Sequence, residues 1–306
     1  MLELIKTFGF SGGSTMKFRR SSRLVDMTNY LLQHPRHLIS LTVFADRYDS
    51  AKSSISEDLV IIKQTFEQQG IGTLQTIAGA AGGVKYIPHV SEEEARDFIR
   101  VLYELIAKPD RLLPGGYLYL TDILGDPRIV NQIGRLYASV YSDRKIDVVM
   151  TVATKGIPIA YAVARYLDVP VVIVRRDSKV TEGSTVSINY VSGSTKRIQT
   201  MLLAKRSLNE GSDVLIIDDF MKAGGTINGM ISMLEEFKAN VAGIGVLVEA
   251  EDIEERLVDE YISLVKLTDV DVKEKRIQVS EGNYFSYLKN IEELAGDNPK
   301  MEEEEE

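Results

Sequence analysis

The sequence predicts two units in series: a small helical module closed by a β-hairpin, then an α/β domain on a mostly parallel sheet. Three observations carry this. Between residues 20 and 70, apolar residues recur at helical spacing in three short runs bounded by Pro, Ser or Gly. Two β-prone runs, 72–77 and 84–87, then flank a glycine-rich tip. From about residue 113, apolar strands alternate with helical stretches, the pattern of an α/β domain.

The first helix fits RLVDMTNYLLQH, with Ser21 and Ser22 as caps and Pro35 as its stop. Leu24, Met27, Thr28, Leu31 and Leu32 fall near one face. A short second helix fits SLTVFADRYD, with Val43 and Phe44 inward. In the third, AKSSISEDLVIIKQTFEQQG, the stripe Ile55, Leu59, Ile62, Phe66 has spacings of four, three and four, and Gly70 ends it. The other face of that helix begins with Lys52, Ser53, Ser54 and Ser56, small polar groups and one cation. Such a helix start can enter a major groove and meet phosphates and base edges. The hairpin 72–87, with AGAAGG at its tip and Lys85 on the return strand, supplies a wing. Three helices and a hairpin make a winged helix-turn-helix, a shape that also serves packing and protein contacts.

Charge favours nucleic acid as the partner. Residues 16–90 hold nine cations, Lys17, Arg19, Arg20, Arg23, Arg36, Arg47, Lys52, Lys63 and Lys85, against six acids, a balance of +3. The whole chain is −9, so the rest carries −12. A basic island on an acidic protein is the pattern of an attached nucleic-acid module. Arg19, Arg20 and Arg23 are each either a contact to the DNA backbone or an ordinary solvated cation. RNA recognition usually shows stacking aromatics, and few stand in 16–90.

Ser91 and Glu94 form a capping box ahead of a helix whose apolar face is Ala95, Phe98, Ile99, Leu102 and Ile106. It opens the second domain. There IDVVMTVA, VPVVIVRR, DVLIIDDF and VAGIGVLVEA read as strands, with IPIAYAVARYLD and TINGMISMLEEFKA as helices. In such sheets ligands bind beyond the carboxyl ends of the strands. The sharpest signal is there: Val214–Ile217, a buried strand, ends in Asp218 and Asp219, followed by Phe220, Met221, Lys222, Ala223, Gly224, Gly225 and Thr226 at a helix start. Adjacent carboxylates accept hydrogen bonds from a vicinal diol such as ribose. The loop after them offers backbone N–H groups to a phosphate. Phe220 is placed either to stack on a base or to pack. This run resembles the phosphoribosyl pyrophosphate (PRPP) motif of type I phosphoribosyltransferases, although Lys222 departs from the usual small residue. A second loop agrees with it: strand Val148–Val152 ends in Thr154, Lys155 and Gly156, where that family binds pyrophosphate. Between the two, 178–206 matches the family's flexible loop in position, and Lys179, Lys196, Arg197, Lys205 and Arg206 are each either a cation that closes over the diphosphate or a solvated one.

The order of parts is similar to the purine operon repressors of Gram-positive bacteria over about residues 16–290. MKFRRSSRLVDMTNYLL, YLYLTDILGDPRIVNQIG, ATKGIPIA, SINYVSGS and VLIIDDFMKAGGT carry the likeness. The resemblance implies a cytoplasmic homodimeric repressor of purine synthesis and transport genes, released from double-stranded operator DNA by PRPP. It implies no catalytic residue, no resident cofactor and no protein metal site, with Mg²⁺ arriving on PRPP. The main rival is an active purine phosphoribosyltransferase with an appended module.

The expected division is 1–15 as an extension or tag, 16–90 as the winged helix, 91–290 as the phosphoribosyltransferase-like effector domain and 291–306 as an acidic tail ending in five glutamates. Self-repulsion is expected to keep that tail disordered. Absence of cysteine excludes disulfides, thiolate zinc sites and a cysteine nucleophile. The three histidines, His34, His37 and His89, lack ligand spacing. No apolar run approaches the ~20 residues of a membrane helix, and MLELIKTFGF lacks the basic start and cleavage site of a signal peptide.

Overall fold

The computed structural model describes residues 18–79, 82–113, 117–177, 183–191, 197–251, 256–271, 274 and 276–296. Lys17, Lys179, Lys196, the middle of the 78–83 tip and the acidic end lie outside the described residues. The chain divides into two compact units. One takes the residues up to Gln69 and Thr73–Tyr86; the other takes Gly70–Gly72 and the chain from Ile87 onward.

The first unit is winged-helix-like. It holds α1 (Arg20–Gln33), β1 (Leu38–Ile39), α2 (Leu41–Tyr48), α3 (Lys52–Gln68), β2 (Gly72–Ile77) and β3 (Gly83–Pro88). The strands form a sheet in the order β1-β3-β2, with Leu38 opposite Lys85. The α3 stripe is buried as its spacing requires: Ile55, Leu59, Ile62 and Phe66 join Met27, Leu31, Phe44 and Tyr48 in the core. Three readings of the sequence fail here. Ser21 and Ser22 do not cap α1, because the Arg23 N–H already donates to the Arg19 carbonyl and the helix starts at Arg20. Val43 is 44% exposed; eight residues of α2 bury a single stripe, Phe44 and Tyr48, and Val43 lies a hundred degrees round from Phe44. Leu32 is likewise 40% exposed.

Asp58, which the sequence offers as one more surface acid, is fully buried on α3. Arg23 Nε donates to it at 2.6 Å and Arg20 Nε at 2.9 Å, while Arg23 also reaches Ser50 Oγ at 3.0 Å. One carboxylate thus ties α1 to α3. Removing one partner of such a pair leaves a poorly solvated charge behind. Asp58→Ala is therefore expected to destabilise this unit by about 3 kcal/mol, read as a lower urea midpoint by circular dichroism; an unchanged midpoint would refute the tie.

In the second unit, α4 (Glu92–Ile106) buries Ala95, Ile99, Leu102 and Ile106. Ser91 Oγ accepts from the Glu94 N–H at 3.2 Å, and the Glu94 carboxylate is taken by Arg135 at 2.7 Å. After the short strands β4 (Leu112–Leu113) and β5 (Tyr117–Leu118) come α5 (Thr121–Gly125), α6 (Pro127–Val140), β6 (Val148–Val152), α7 (Ile157–Leu167) and β7 (Val171–Val174). A hairpin, β8 (Thr185–Val191) with β9 (Ile198–Ala204), precedes β10 (Asp213–Met221), α8 (Gly225–Glu236), β11 (Asn240–Ala250), β12 (Ile262–Asp271), β13 (Arg276–Glu281) and α9 (Tyr284–Gly296).

Six strands make the main sheet, in the order β13-β12-β11-β10-β6-β7. All neighbours are parallel except β13, which closes one edge antiparallel to β12. Both faces are covered, which is why β10 reads as an unbroken apolar run. Leu215 and Ile217 face α6 and α7, where Ile133, Ile159 and Val163 pack. Val214 and Ile216 face α8 and the hairpin, where Met230, Tyr190 and Met201 pack. From β6 the chain goes outward to β7, then returns to β10 and continues the other way through β11 and β12. The strand order therefore reverses between β6 and β10, the point at which such sheets leave a crevice.

Candidate functional site

A cleft of about 650 Å³ opens at the carboxyl ends of these strands. It is lined by Val152–Lys155 at and beyond the end of β6, by Arg176 after β7, and by Asp218–Ile227 from the end of β10 into α8. All but one of the residues read from the two loops meet here; Gly156 does not line the cleft but stands directly behind it. A Cβ on Gly156 would lie 2.3 Å from Thr151 Oγ1 and 3.3 Å from Asp218 Oδ1. Only glycine lets the 153–156 loop sit this close to the end of β10. Gly156→Ala is expected to cost about 1–3 kcal/mol through overpacking, read as a lower melting temperature of the full chain. An unchanged melting temperature would show that Thr151 yields freely.

Asp218 is 4% exposed and Asp219 less deeply set. Burial, then the neighbouring charge of Asp219, holds the Asp218 carboxyl well above the usual range. Burial also raises Asp219, opposed by the Lys155 ammonium and the Asp218 hydrogen bond. The Asp219 N–H donates to Asp218 Oδ1 at 3.0 Å, which fixes the first carboxylate, and both residues line the cleft. The loop then bends through Gly224, whose φ of +83° suits glycine, into the first turn of α8. Lys155, Lys222 and Arg176 stand exposed at the cleft. Two acids, a helix start and three exposed cations around one cleft make a place for a polyanion bearing hydroxyls.

Some of the wall was not read from the sequence. Arg176 follows a recognised strand, and the strand-end rule was enough to single it out. Tyr117, Leu118 and Leu120, and Leu267–Val270 at the end of β12, come from distant parts of the chain, and no local signal marks them. Conversely, Arg197, Lys205 and Arg206 do not line the cleft. Among the described residues of 178–206, Thr185–Val191 and Ile198–Ala204 pair as antiparallel strands, and Tyr190, Met201 and Leu203 pack on the sheet.

On the first unit, Lys52, Ser53 and Ser56 are exposed on the opening turn of α3, and Ser54 is half-buried. Ala51, the cap residue, offers no side chain to that turn, and no acid lies in it. Arg19 is exposed and Lys85 half-buried on β3. Arg20 is half free, its remaining contact being Glu57 at 3.8 Å, whereas Arg23 is 11% exposed and spent on Asp58 and Ser50.

Two family models match: "Bacterial purine repressor, N-terminal" over residues 19–88, and "Phosphoribosyl transferase domain" over residues 120–281. The purine biosynthesis transcriptional repressor PurR of Bacillus subtilis is 70% identical over 275 residues, covering 90% of this chain and 96% of that one. The purine biosynthesis transcriptional activator PurR of Lactococcus lactis subsp. lactis is 50% identical over 268 residues, covering 88% and 99%. A xanthine phosphoribosyltransferase of Lactococcus lactis subsp. cremoris is 30% identical over 175 residues, or 56% of this chain and 85% of that one. The likeness to the regulators thus runs through the winged unit and the cleft alike, and the chain belongs to the bacterial purine repressor family.

Proposed function

We propose that this protein represses purine synthesis and transport genes by binding operator DNA as a homodimer, and that PRPP in the cleft weakens that binding. The observation that carries the reading is the meeting of Asp218, Asp219, the 222–226 loop and Lys155 around one cleft, in a chain with a separate winged unit. PRPP has the matching parts: a ribose diol for the carboxylates, a 5-phosphate for the helix start and a diphosphate for Thr154 and Lys155, with Gly156 behind them. The working division is a winged helix over 16–90 and an effector domain over 91–290, acting in the cytoplasm. No helix among the described residues is long and apolar enough to cross a membrane.

The two carboxylates fit a hard cation carried on PRPP oxygens, and no group of three or more metal-ligating side chains stands among the described residues. Asp218 and Asp219 are the residues that would face Mg²⁺, which neutralises part of the ligand's charge. On DNA, Lys52, Ser53, Ser54 and Ser56 enter the major groove, with Arg19, Arg20 and Lys85 on the backbone. Arg23 is left out, being committed within the fold. Two winged units read one face of the duplex when half-sites lie ~34–36 Å apart or at a multiple of that.

Linkage fixes the test. If PRPP lowers operator affinity by some factor, operator lowers PRPP affinity by the same factor. Operator DNA titrated at fixed salt with and without Mg²⁺–PRPP is expected to bind tightly and to be released by PRPP. Tight binding indifferent to PRPP would remove the effector; no specific binding would remove the repressor. A relative named as an activator makes the sign of regulation a separate observable, and reporter transcription from the operator should fall when the protein is supplied.

The rival is transferase activity, favoured by the similarity to the xanthine phosphoribosyltransferase. Against it stand Lys222 in the phosphate loop and the higher identity to regulators over nearly the whole chain. No release of pyrophosphate from PRPP with adenine, guanine, hypoxanthine or xanthine is expected; turnover at roughly 1–10³ per second would overturn this reading.

A further inference from the structure

The 222–226 loop has a back as well as a ligand-facing side. Behind it lies the segment 256–258, part of the connection from β11 to β12. The Leu257 N–H donates to the Ala223 carbonyl at 2.9 Å. A Cβ on Gly224 would meet Val258 Cγ2 at 3.0 Å, so Val258 is packed under the bend of the loop.

That segment is anchored on one buried carboxylate. Arg256 donates to Glu249 Oε2 at 2.5 Å and to the Ala250 carbonyl at 2.7 Å. Glu249, 4% exposed near the end of β11, also accepts from Tyr261 Oη at 2.5 Å and from Ser263 Oγ at 2.7 Å. Ala250, next to it, lines the cleft. A buried ion pair is a weak source of net stability, since well-packed apolar residues serve as well or better. What this one supplies is a fixed place for Arg256, and through Leu257 and Val258 a fixed back for the phosphate loop.

We propose that Glu249 and Arg256 are positioning residues for PRPP: they touch no ligand, but hold the 222–226 loop in its anion-receiving conformation. This rests on the reading of the cleft as a PRPP site. The N–H groups of such a loop act together only while their directions converge, so a small displacement of its back costs affinity for the phosphate while leaving the winged unit untouched.

The test uses the full chain and Mg²⁺–PRPP. Glu249→Gln keeps the shape but removes the charge that holds Arg256; Arg256→Lys keeps a cation but loses the planar fork whose two nitrogens reach Glu249 and the Ala250 carbonyl separately. Both are expected to weaken PRPP binding about ten-fold, with the conservative Arg256→Lys the milder, while operator affinity without PRPP stays within about two-fold. Tyr137→Phe is the control for stability alone. It removes a buried hydrogen bond from Tyr137 Oη to the Val246 carbonyl on the same strand, 2.6 Å long, away from the loop. A lowered melting temperature with unchanged PRPP affinity is expected of it. Unaltered PRPP binding in both Glu249→Gln and Arg256→Lys, or a loss no greater than Tyr137→Phe shows at equal melting temperature, overturns the inference. Failure of the unaltered protein to bind PRPP overturns the reading of the cleft, and this inference with it.

Discussion

Asp219→Asn is expected to weaken PRPP binding about 10- to 100-fold and to leave operator affinity in the absence of PRPP unchanged. A carboxylate accepting hydrogen bonds from a ribose diol makes charge-assisted bonds, each of order 1.5–3 kcal/mol, and an amide keeps the shape but only one acceptor. Asp219 faces the cleft, so its loss falls on the ligand. Because coupling is reciprocal, the PRPP concentration that releases operator should rise by the same factor. Release at the unaltered concentration would take the carboxylate out of the site.

Asp218→Asn separates binding from stability. Burial raises the Asp218 carboxyl well above its ordinary value, so the folded state holds a proton that the unfolded state has lost. The sign follows: between the ordinary carboxylate pKa near 3.9 and the raised folded value, stability falls as pH rises, and the penalty is complete above the folded value. The asparagine variant lacks this penalty. It should melt higher than the unaltered protein at pH 7 and no higher at pH values below both pKa values, while binding PRPP poorly. A variant that melts lower at pH 7 would show that Asp218 is held by partners rather than strained by burial. On the PRPP reading of the cleft, the site is kept at the expense of the fold, as binding sites commonly are.

How much of this was open to a reading of the sequence follows from geometry. The run Val214–Ile217 is legible because a strand covered on both faces has no polar alternation to confuse it, and because acids at its end have only one place to be. The α3 stripe is legible for the same kind of reason: a helix with one buried face writes its period into the chain. What escaped depends on contacts between distant segments. Asp58 looks like any surface acid until α1 brings Arg20 and Arg23 across it. Arg23 looks like a free cation for the same reason. Tyr117 and Asp269 reach the cleft only because β5 and β12 end there. The paired strands Thr185–Val191 and Ile198–Ala204 are hidden by their composition: their packed residues alternate with Ser187, Asn189 and Thr200, which read as a loop when the covering sheet is not in view. Short-range pattern fixes elements, and chemistry at strand ends suggests a site, but the pairing of charges is a property of the folded chain.

On the winged unit the largest effect is expected at Lys52, where reversal to glutamate should weaken operator binding about 10- to 100-fold. Lys52 is the first residue of α3 and is exposed. The cap residue Ala51 gives no side-chain acceptor and the first turn holds no acid, so the positive end of the helix is presented outward with the lysine beside it. A DNA phosphate placed there would meet both. Reversal replaces an attraction with a repulsion at that point, and the salt dependence should record it: the slope of log affinity against log salt is expected to shrink by about 1, the share of one phosphate contact. The same substitution should not harm the fold. A glutamate in the first turn of a helix interacts favourably with its dipole, by about 0.3–1 kcal/mol, so the melting temperature should hold or rise. Loss of operator binding together with an intact or raised melting temperature separates a lost contact from a damaged module. Unchanged operator affinity and an unchanged salt slope would move the DNA contact off this helix, leaving Arg19, Arg20 and the wing to account for the basic charge of the first unit.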